Sequence, residues 1–392
     1  MSAEKIKDNI YSIGVKDPKL RIFDIVMETK KGTTYNSFVI DDEKVAVVDI
    51  CKNGFYDQFK KNLTEVIGDR KVDYVIVQHT ELDHSGSIAK LLEDYPDATV
   101  ISTKIANTFV ENILNKKFNG IEVPEELNLG KTNLKFFKAP NLHWPDTMFT
   151  YAQESKVLFT CDFTGAHYCP EGSILNNDND NFTADTKYYF DCIMGPFKPY
   201  VLKGLETVKD LDIDVIAPSH GPLHIGKESI KRVFDLYKEW SLEFPVQKDK
   251  IEIFYISAYK NTENVAKYIS EKLKIQGYSA NYHDLNQIDL SEAAHLVSIS
   301  KGFMVGSPTI TADAVKPAWD LLSVVNPIVN RGKAAMAFGS FGWSGEGVGM
   351  LTDRMKSLKL KVVEPGFKFK FVPSEEDYKN LDKLIENFIA LL

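Results

Sequence analysis

The six-residue stretch "HTELDH" (79–84) constrains this chain more than any other part of the sequence. It follows the apolar run "YVIV" and places His79, Glu81, Asp83 and His84 on one short loop. Four such groups crowded together would repel one another or lack partners unless a cation lay between them. We therefore predict a metal site at the end of a strand.

Three other segments carry a ligand-type side chain in the same kind of place. His143 lies in "NLHWPD", Asp162 in "TCDF" and His220 in "PSHGP", each shortly after an apolar run. A rigid strand fixes such a side chain, while the loop after it leaves room for a ligand. We expect the four segments to converge on the metal. The remaining histidines are predicted to be ordinary surface or core residues: His167, His224, His283 and His295.

The chain divides into two halves with different patterns of secondary structure. A length of 392 residues exceeds one ordinary core, so two domains are expected. Up to about residue 247, short strand candidates alternate with turns and helices, which indicates an α/β mixture. From "IEIFYIS" (251–257) onward, strands and helices alternate regularly, with one helix around 311–325, which predicts a doubly wound parallel sheet. The charged "VQKDK" (246–250) marks the boundary, giving domains 1–248 and 249–392.

Composition narrows the functional class. The chain carries a formal net charge of −8, which argues against a nucleic-acid partner. The start, "MSAEKIKDNIYSIG", lacks the apolar core of a signal peptide, and no apolar run approaches about 18 residues, so we expect a cytoplasmic protein without a membrane partner. The four cysteines form no C-x-x-C pair, which argues against a zinc ribbon, a rubredoxin-type iron site and a thioredoxin motif. They are predicted to be buried thiols: Cys51, Cys161, Cys169 and Cys192.

Three loops of the second half have the composition of a phosphate and ring site. The first runs between a strand and a helix, where hydroxyl groups and free backbone N–H groups suit a phosphate. It has neither the Walker A ending nor a G-x-G-x-x-G pattern. The other two, "VGSPTI" and "FGSFGWSGEG", follow later strands at the edge where doubly wound sheets bind ligands. The candidate residues are Ser257, Ala258, Tyr259, Lys260, Asn261, Thr262, Ser307, Pro308, Thr309, Ile310, Ser340, Phe341, Gly342, Trp343 and Gly345.

Taken together, "GTTYNSF", "HTELDH", "LHWPD", "CDFTG", "PSHGP" and the three later loops resemble the flavodiiron proteins over essentially the whole chain. The resemblance implies an αββα metallo-β-lactamase-like domain followed by a flavodoxin-like domain that binds FMN. It also implies that one iron is bound by His79, Glu81 and His143, the other by Asp83, His84 and His220, with Asp162 bridging them. Phe341 stands where that family often has tyrosine.

Glu81 bears on the choice of metal, because metallohydrolases have histidine at this position. Two ferrous ions carry a charge of +4, and three carboxylates with a bridging hydroxide bring the total to zero, which suits a low-dielectric pocket. The added carboxylate makes the ligand set harder and favours iron. Ligands alone still allow zinc, as in a two-zinc hydrolase with an appended flavodoxin module. Zinc cannot accept electrons from a flavin, so the flavin loops favour iron.

The resulting hypothesis is an oxidoreductase that passes electrons from an external donor through FMN to a non-haem diiron site. Enzymes of the family that it resembles reduce dioxygen to water or nitric oxide to nitrous oxide, and the sequence does not choose between the gases. A rival interpretation is an electron carrier with an inactive metal domain, which the complete set of seven ligands disfavours. The donor is expected to be a separate rubredoxin-like protein or a reduced deazaflavin.

The expected assembly is a head-to-tail homodimer or a homotetramer. This expectation comes from the resemblance and from the short "VQKDK" junction, which leaves little freedom to swing a flavin domain onto its own metal site. FMN of one chain would then serve the metals of another. Trp144, beside His143, is the candidate for contact with that FMN, with a buried structural role as the alternative.

Overall fold

The computed structural model describes residues 2–25, 27–175, 182–242 and 245–392. The chain forms two compact units, Met1–Glu243 and Phe244–Leu392. No helix among the described residues is long and apolar enough to cross a bilayer.

The first unit contains one seven-stranded sheet and one six-stranded sheet, with helices around them. Its strands are β1 (Glu4–Lys7), β2 (Ile10–Ser12), β3 (Val15–Asp17), β4 (Ile22–Phe23), β5 (Met27–Glu28), β6 (Thr33–Tyr35), β7 (Phe38–Asp41), β8 (Val45–Val48), β9 (Tyr74–Ile76), β10 (Thr99–Ser102), β11 (Gly120–Glu122), β12 (Glu126–Asn128), β13 (Asn133–Lys138), β14 (Met148–Ala152), β15 (Val157–Cys161), β16 (Val215–Pro218) and β17 (His224–Ile225). Its helices are α1 (Tyr56–Ile67), α2 (Leu82–Ser85), α3 (Ile88–Asp94), α4 (Lys104–Leu114), α5 (Thr183–Tyr189), α6 (Lys198–Val208) and α7 (Lys227–Leu242).

The two sheets face each other across an apolar core. Successive side chains of a strand point to opposite faces of its sheet, so alternate residues enter this core. One sheet has the order β1-β2-β7-β8-β9-β10-β11 and the other β12-β13-β14-β15-β16-β17. Phe38 of the first sheet packs on Phe159 of the second, with ring centroids 5.1 Å apart. Val48 belongs to this inner core, whereas its neighbour Val47 belongs to the cluster that includes Leu63 of α1. Strands covered on both faces read as continuous apolar runs, and the αββα prediction is confirmed.

The second unit is a parallel sheet with helices on both faces. Its strands are β18 (Lys250–Tyr255), β19 (Ser279–Asp284), β20 (Gly302–Gly306), β21 (Thr309–Ile310), β22 (Asp313–Ala314), β23 (Ala334–Phe341), β24 (Lys361–Val362) and β25 (Phe367–Lys370). Its helices are α8 (Asn261–Ile275), α9 (Leu290–Ile299), α10 (Lys316–Val324), α11 (Glu346–Ser357) and α12 (Glu375–Ala390). The strand order is β19-β18-β20-β23-β24, and β25 also pairs with β23. The flavodoxin-like prediction is confirmed.

Two local predictions need correction. The helix expected around 311–325 begins at Lys316, because β21 and β22 form a small hairpin before it and Pro317 occupies the first helical turn. The cysteines are not all buried: Cys192 is exposed and Cys169 is half-buried. Cys192 lies in an irregular helical turn after α5, where one face meets solvent.

Candidate metal centre and flavin cleft

The predicted metal-binding loops leave the ends of three strands and meet at one place. His79 follows β9, Asp162 follows β15 and His220 follows β16. Because β15 and β16 run parallel, their carboxyl ends lie at the same edge of the sheet. Asp83 and His84 lie in the single turn of α2, which begins directly after Glu81. The structure therefore brings all seven predicted side chains together.

The first group of ligand atoms gathers around one oxygen of Asp162. His79 Nε2 and His143 Nε2 lie 3.1 and 3.0 Å from Asp162 Oδ2. Glu81 Oε2 lies 3.5 Å from His79 Nε2 and 3.0 Å from His143 Nε2. Two imidazole nitrogens and two carboxylate oxygens thus point at a common centre, which is a suitable donor set for a divalent metal.

The second group gathers around the other oxygen of the same carboxylate. His84 Nε2 and His220 Nε2 lie 3.1 and 3.5 Å from Asp162 Oδ1. Asp83 Oδ2 lies 3.1 Å from His84 Nε2 and 3.0 Å from His220 Nε2. Each oxygen of Asp162 therefore serves one group, which is the arrangement that a carboxylate bridging two metals would have.

Buried polar atoms without partners test whether this cluster fits metals. Among the described residues, hydrogen-bond partners are missing for His79 Nε2, His84 Nε2, Asp162 Oδ1 and both carboxylate oxygens of Asp83. Buried polar groups in native proteins almost always have partners, and leaving several unpaired in one place is costly. Two metal ions would satisfy these atoms at once, so the side chains present fit a dinuclear centre.

Burial opposes charge on the carboxylates, but the neighbouring imidazoles outweigh it. The pKa of Glu81 is lowered to about 2, against burial, by the neighbouring imidazoles of His143 and His79. The pKa of Asp162 lies well below its usual value, again against burial, because His79 and His84 favour its charged form. These carboxylates are therefore ionised at neutral pH, as metal ligation requires.

The imidazoles respond in the opposite direction. Burial lowers the pKa of His84, but Asp83 and Asp162 raise it to about 10. Burial likewise lowers the pKa of His143, and Asp162 and Glu81 raise it to about 9. Without a metal, protons on these rings offset the carboxylate charge. Since a metal must displace those protons, its affinity is expected to fall as the pH decreases.

The sequence analysis missed Asp49, which ties two of the ligand loops together. This buried residue has a positive φ of 54° directly after β8. Its carboxylate accepts the backbone N–H of Gln78 at 2.8 Å and the side-chain amide at 3.0 Å, one residue before His79. It also accepts the hydroxyl of Ser219 at 3.4 Å, one residue before His220. The sequence signal that could have indicated this role is an aspartate directly after the apolar run of a buried strand.

Outer partners orient two of the imidazoles. His220 Nδ1–H donates to the carbonyl oxygen of Thr34 at 2.6 Å. His79 Nδ1–H faces Cys161 Sγ at 3.0 Å. Both contacts leave Nε2 free to face the cluster, as metal-binding histidines require. Thr34 lies in "GTTYNSF", whereas nothing in the sequence indicated the role of Cys161.

A short hairpin formed by β4 and β5 covers part of the centre. The ring of Phe23 lies 4.3 Å from that of His167 and 5.6 Å from that of His220. The carboxyl group of Asp24, in the turn of this hairpin, lies close to that of Glu81. Burial and the charge of Glu81 together raise the pKa of Asp24 to about 6. The structure leaves His167 outside both groups, although it is buried beside them.

In the second unit, the predicted loops line a cleft with about 500 Å³ of empty space that is open to solvent. Most of the residues expected from the sequence are present in its lining: Ser257, Ala258, Tyr259, Asn261, Pro308, Thr309, Ile310, Ser340, Phe341 and Gly342. The cleft lies at the carboxyl ends of β18, β20 and β23. This is the position at which doubly wound sheets bind their ligands.

Several predicted residues lie outside the cleft lining, which also contains one that was not predicted. Trp343 is 88% exposed and forms no wall, because it follows Gly342 in a turn that directs its side chain into solvent. Phe371 lines the cleft instead, since its backbone N–H bonds the carbonyl oxygen of Phe341 at 2.9 Å. Other candidates absent from the lining are Lys260, Thr262, Ser307, Gly345 and, in the first unit, the half-buried Trp144.

Comparisons with known proteins agree with both units. The model of the ODP family beta lactamase matches residues 33–221, and the flavodoxin model matches residues 253–381. The chain is 41% identical to flavo-diiron protein FprA2 of Clostridium acetobutylicum, covering 99% of both chains. It is 33% identical to type A flavoprotein fprA of Rhodobacter capsulatus, covering 94% of this chain and 87% of the relative.

Solved structures give the same result. Rubredoxin oxygen:oxidoreductase from Desulfovibrio gigas superposes with a TM-score of 0.68 at 27% identity, covering 100% of this chain and 98% of the other. The flavodiiron protein from Giardia intestinalis superposes with a TM-score of 0.66 at 27% identity and the same coverage.

Fold and site together define a two-domain oxidoreductase in which a dinuclear metal centre is combined with a flavin-binding unit. The chain belongs to the flavodiiron protein family, whose cofactors are FMN and a non-haem diiron centre. The interpretation as a two-zinc hydrolase is not favoured.

Proposed function

We propose that this flavodiiron protein takes electrons from a separate donor and reduces dioxygen to water, nitric oxide to nitrous oxide, or both. The observation that carries the proposal is the division of Asp162 between two groups of buried ligand atoms. This centre lies in a chain that also has a flavodoxin-type cleft. The name of the Desulfovibrio gigas enzyme, with its rubredoxin and oxygen, supports the same substrate and donor here.

The proposed ligand assignment follows the two groups. His79, Glu81 and His143 would hold one iron, together with the side chain of Asp162. The second iron would be held by three other side chains, again together with Asp162: Asp83, His84 and His220. When bound, the two irons and the flavin supply one- and two-electron redox chemistry at the substrate, which zinc would not supply.

The protein's own residues set the charge and solvent access of this centre. Glu81 and His143 keep 13% and 15% of their side-chain surface exposed, whereas Asp83, His84 and His220 keep at most 5%. A small gas molecule would therefore approach from the side of Glu81 and His143. The more deeply buried side, which contains Asp83, His84 and His220, excludes water and holds these ligands rigidly.

For FMN, we propose that the loop from Ser257 to Thr262 binds the phosphate at the start of α8. Thr262 is buried, and its hydroxyl lies 3.1 Å from that of Ser340, which joins the phosphate loop to the loop after β23. Phe341 and Phe371 line the same cleft and would contact the flat ring. Gly342 allows the backbone to approach that ring closely.

The decisive experiment is to measure metal and flavin content, followed by turnover with each gas. We expect about two irons and one FMN per chain in anaerobically purified protein. Reduced rubredoxin-like protein and reduced deazaflavin should be compared as donors with each gas. Fully active protein that carries stoichiometric zinc in place of iron would contradict the redox function.

We further propose a cytoplasmic head-to-tail homodimer, or a homotetramer built from it, in which FMN of one chain serves the iron pair of the other. The test mixes a His79→Ala chain, which lacks a working iron pair, with a chain altered at Thr262 and Ser340, which lacks FMN. Random mixing makes half of the dimers mixed, each with one working pair, so activity should recover to about a quarter of wild type. Verified mixed dimers with no activity would exclude electron transfer between chains.

A further inference from the structure

Cys161 occupies an unusual position at the end of β15. The register between β15 and β16 shifts between Phe159 and Cys161, and the backbone of Cys161 has a positive φ of 54°. Such a conformation is uncommon for a residue other than glycine, and a β-bulge redirects the side chain of the strand that carries it. The Cys161 carbonyl oxygen accepts the N–H of Ser219 at 2.7 Å, so the neighbouring strand holds the bulge in place.

The bulge places the thiol against a proposed iron ligand. Cys161 is fully buried, and its Sγ lies 3.0 Å from His79 Nδ1. His79 Nε2 faces the cluster and has no hydrogen-bond partner in the part of the chain that the structure describes. A metal at Nε2 requires the proton to be on Nδ1, so the sulfur must be the acceptor of this hydrogen bond.

The histidine partners in the other group are different. His220 Nδ1–H donates to a carbonyl oxygen, that of Thr34, at 2.6 Å. His84 Nδ1 is buried and none of the described residues offers it a hydrogen-bond partner. A thiol sulfur is a weak acceptor, whereas a carbonyl oxygen is a strong one. A strong acceptor on Nδ1 makes the imidazole a better electron donor to its metal.

We propose that Cys161 is a positioning residue for His79. Its sulfur accepts a weak hydrogen bond from His79 Nδ1–H and so selects the tautomer whose Nε2 can bind a metal. His79 is then a poorer electron donor than His220. Compared with a stronger acceptor at the same place, the thiol of Cys161 therefore favours the reduced state of the iron that His79 would hold. This inference rests on the proposed ligand assignment and adds a residue that sets the donor strength of one proposed ligand.

The test compares four full-length proteins, each loaded with iron and FMN: wild type, Cys161→Ala, Cys161→Ser and the control Cys51→Ala. Cys51 is also a fully buried thiol, but its Sγ hydrogen-bonds the Ser87 hydroxyl at 3.6 Å, and among the described residues no hydrogen bond joins this Sγ to a proposed iron ligand. The measurements are release of iron to a ferrous chelator, potentiometric titration of the iron pair, and Mössbauer spectra of the diferrous state.

Cys161→Ala should bind one of its two irons roughly 10- to 100-fold more weakly than wild type, which is the usual consequence of losing such a partner, and should release that iron to the chelator correspondingly faster. Cys161→Ser should hold both irons, because a hydroxyl oxygen also accepts the hydrogen bond. Its stronger acceptor should lower the midpoint potential of one step and alter one of the two Mössbauer signals. Cys51→Ala should match wild type in all three measurements.

Equal iron release from Cys161→Ala and wild type would overturn the proposal, as would a Cys161→Ser protein with unchanged potentials and spectra. If the alanine variant does not fold, the potential and spectra of the serine variant decide alone. A wild-type chain that binds no iron would instead refute the proposed function, so the two failures are distinguishable.

Discussion

The metal centre and the flavin cleft are built in opposite ways. The metal centre consists of side-chain atoms that converge from several segments and are nearly all buried. Some of these atoms have no hydrogen-bond partner among the described residues. The flavin cleft is open and lined by loop residues, of which Tyr259 is 88% exposed. The first site is defined by chemical groups, and the second by the path of the backbone. Single side-chain changes should therefore damage the metal centre most, while backbone changes should damage the cleft most.

The largest effect is expected from Asp162→Ala. Without this side chain, no carboxylate lies between the two proposed metal ions to offset their charge, so iron binding and gas reduction should be abolished. FMN should remain bound, because the cleft is lined by another unit. Iron and flavin content with gas turnover are the measurements, and Asp212→Ala, at an exposed surface carboxylate, is the control. Loss of FMN together with iron would contradict the independence of the two sites.

The complementary experiment is Gly339→Ala in β23. A Cβ at this position would lie 1.9 Å from the backbone carbonyl oxygen of Ser307, so the loop that lines the cleft must shift. We expect a loss of about 1–3 kcal/mol in the free energy of unfolding of this unit, weaker FMN binding and unchanged iron content. Gly349→Ala is the matched control, because a Cβ there meets nothing within 4 Å inside a helix. It should be neutral or slightly stabilising. Normal FMN binding by Gly339→Ala would mean that backbone path does not define the cleft.

A smaller effect concerns the pH dependence of the first unit without metal. Burial lowers the pKa of His224 to about 4 in the folded chain, from a usual value near 6.5. Between these values the unfolded chain binds more protons than the folded chain, so stability decreases as the pH falls. For this residue the loss should be about 2 kcal/mol between pH 7 and 5. Denaturant titrations should show a shallower pH dependence for His224→Gln, while exposed His295→Gln should behave as wild type.

The smallest predicted effect is that of Phe371→Ala. This side chain lines the cleft although it is 62% exposed, so it can contact the flavin ring on one side only. An aromatic contact of this kind contributes about 0.5–1.5 kcal/mol, which corresponds to roughly 2- to 13-fold weaker FMN binding. Fluorescence titration of FMN measures it. Val372→Ala, at the adjacent exposed residue outside the cleft lining, should not change the affinity.

Much of the fold and most of both sites could be predicted from sequence because the evidence was local. The apolar run of β8 and the loop "HTELDH" each occupy a few consecutive residues. Crowded ligand-type side chains imply a cation wherever the loop lies in space. The start of the helix predicted around 311–325 was wrong. The hairpin of β21 and β22 that precedes the helix depends on strand pairing, which the periodicity of side chains does not reveal.

The sequence by itself determined the two-domain α/β organisation, the seven candidate metal ligands and the three loops of the cleft. Only the tertiary structure decided how the oxygens of Asp162 are divided, and which side chains stand behind the ligands. Asp49 holds two ligand loops at once, and Cys161 reaches His79 across 82 residues of sequence. Such contacts depend on how strands align and where a bulge redirects a side chain, and these are properties of the folded chain as a whole.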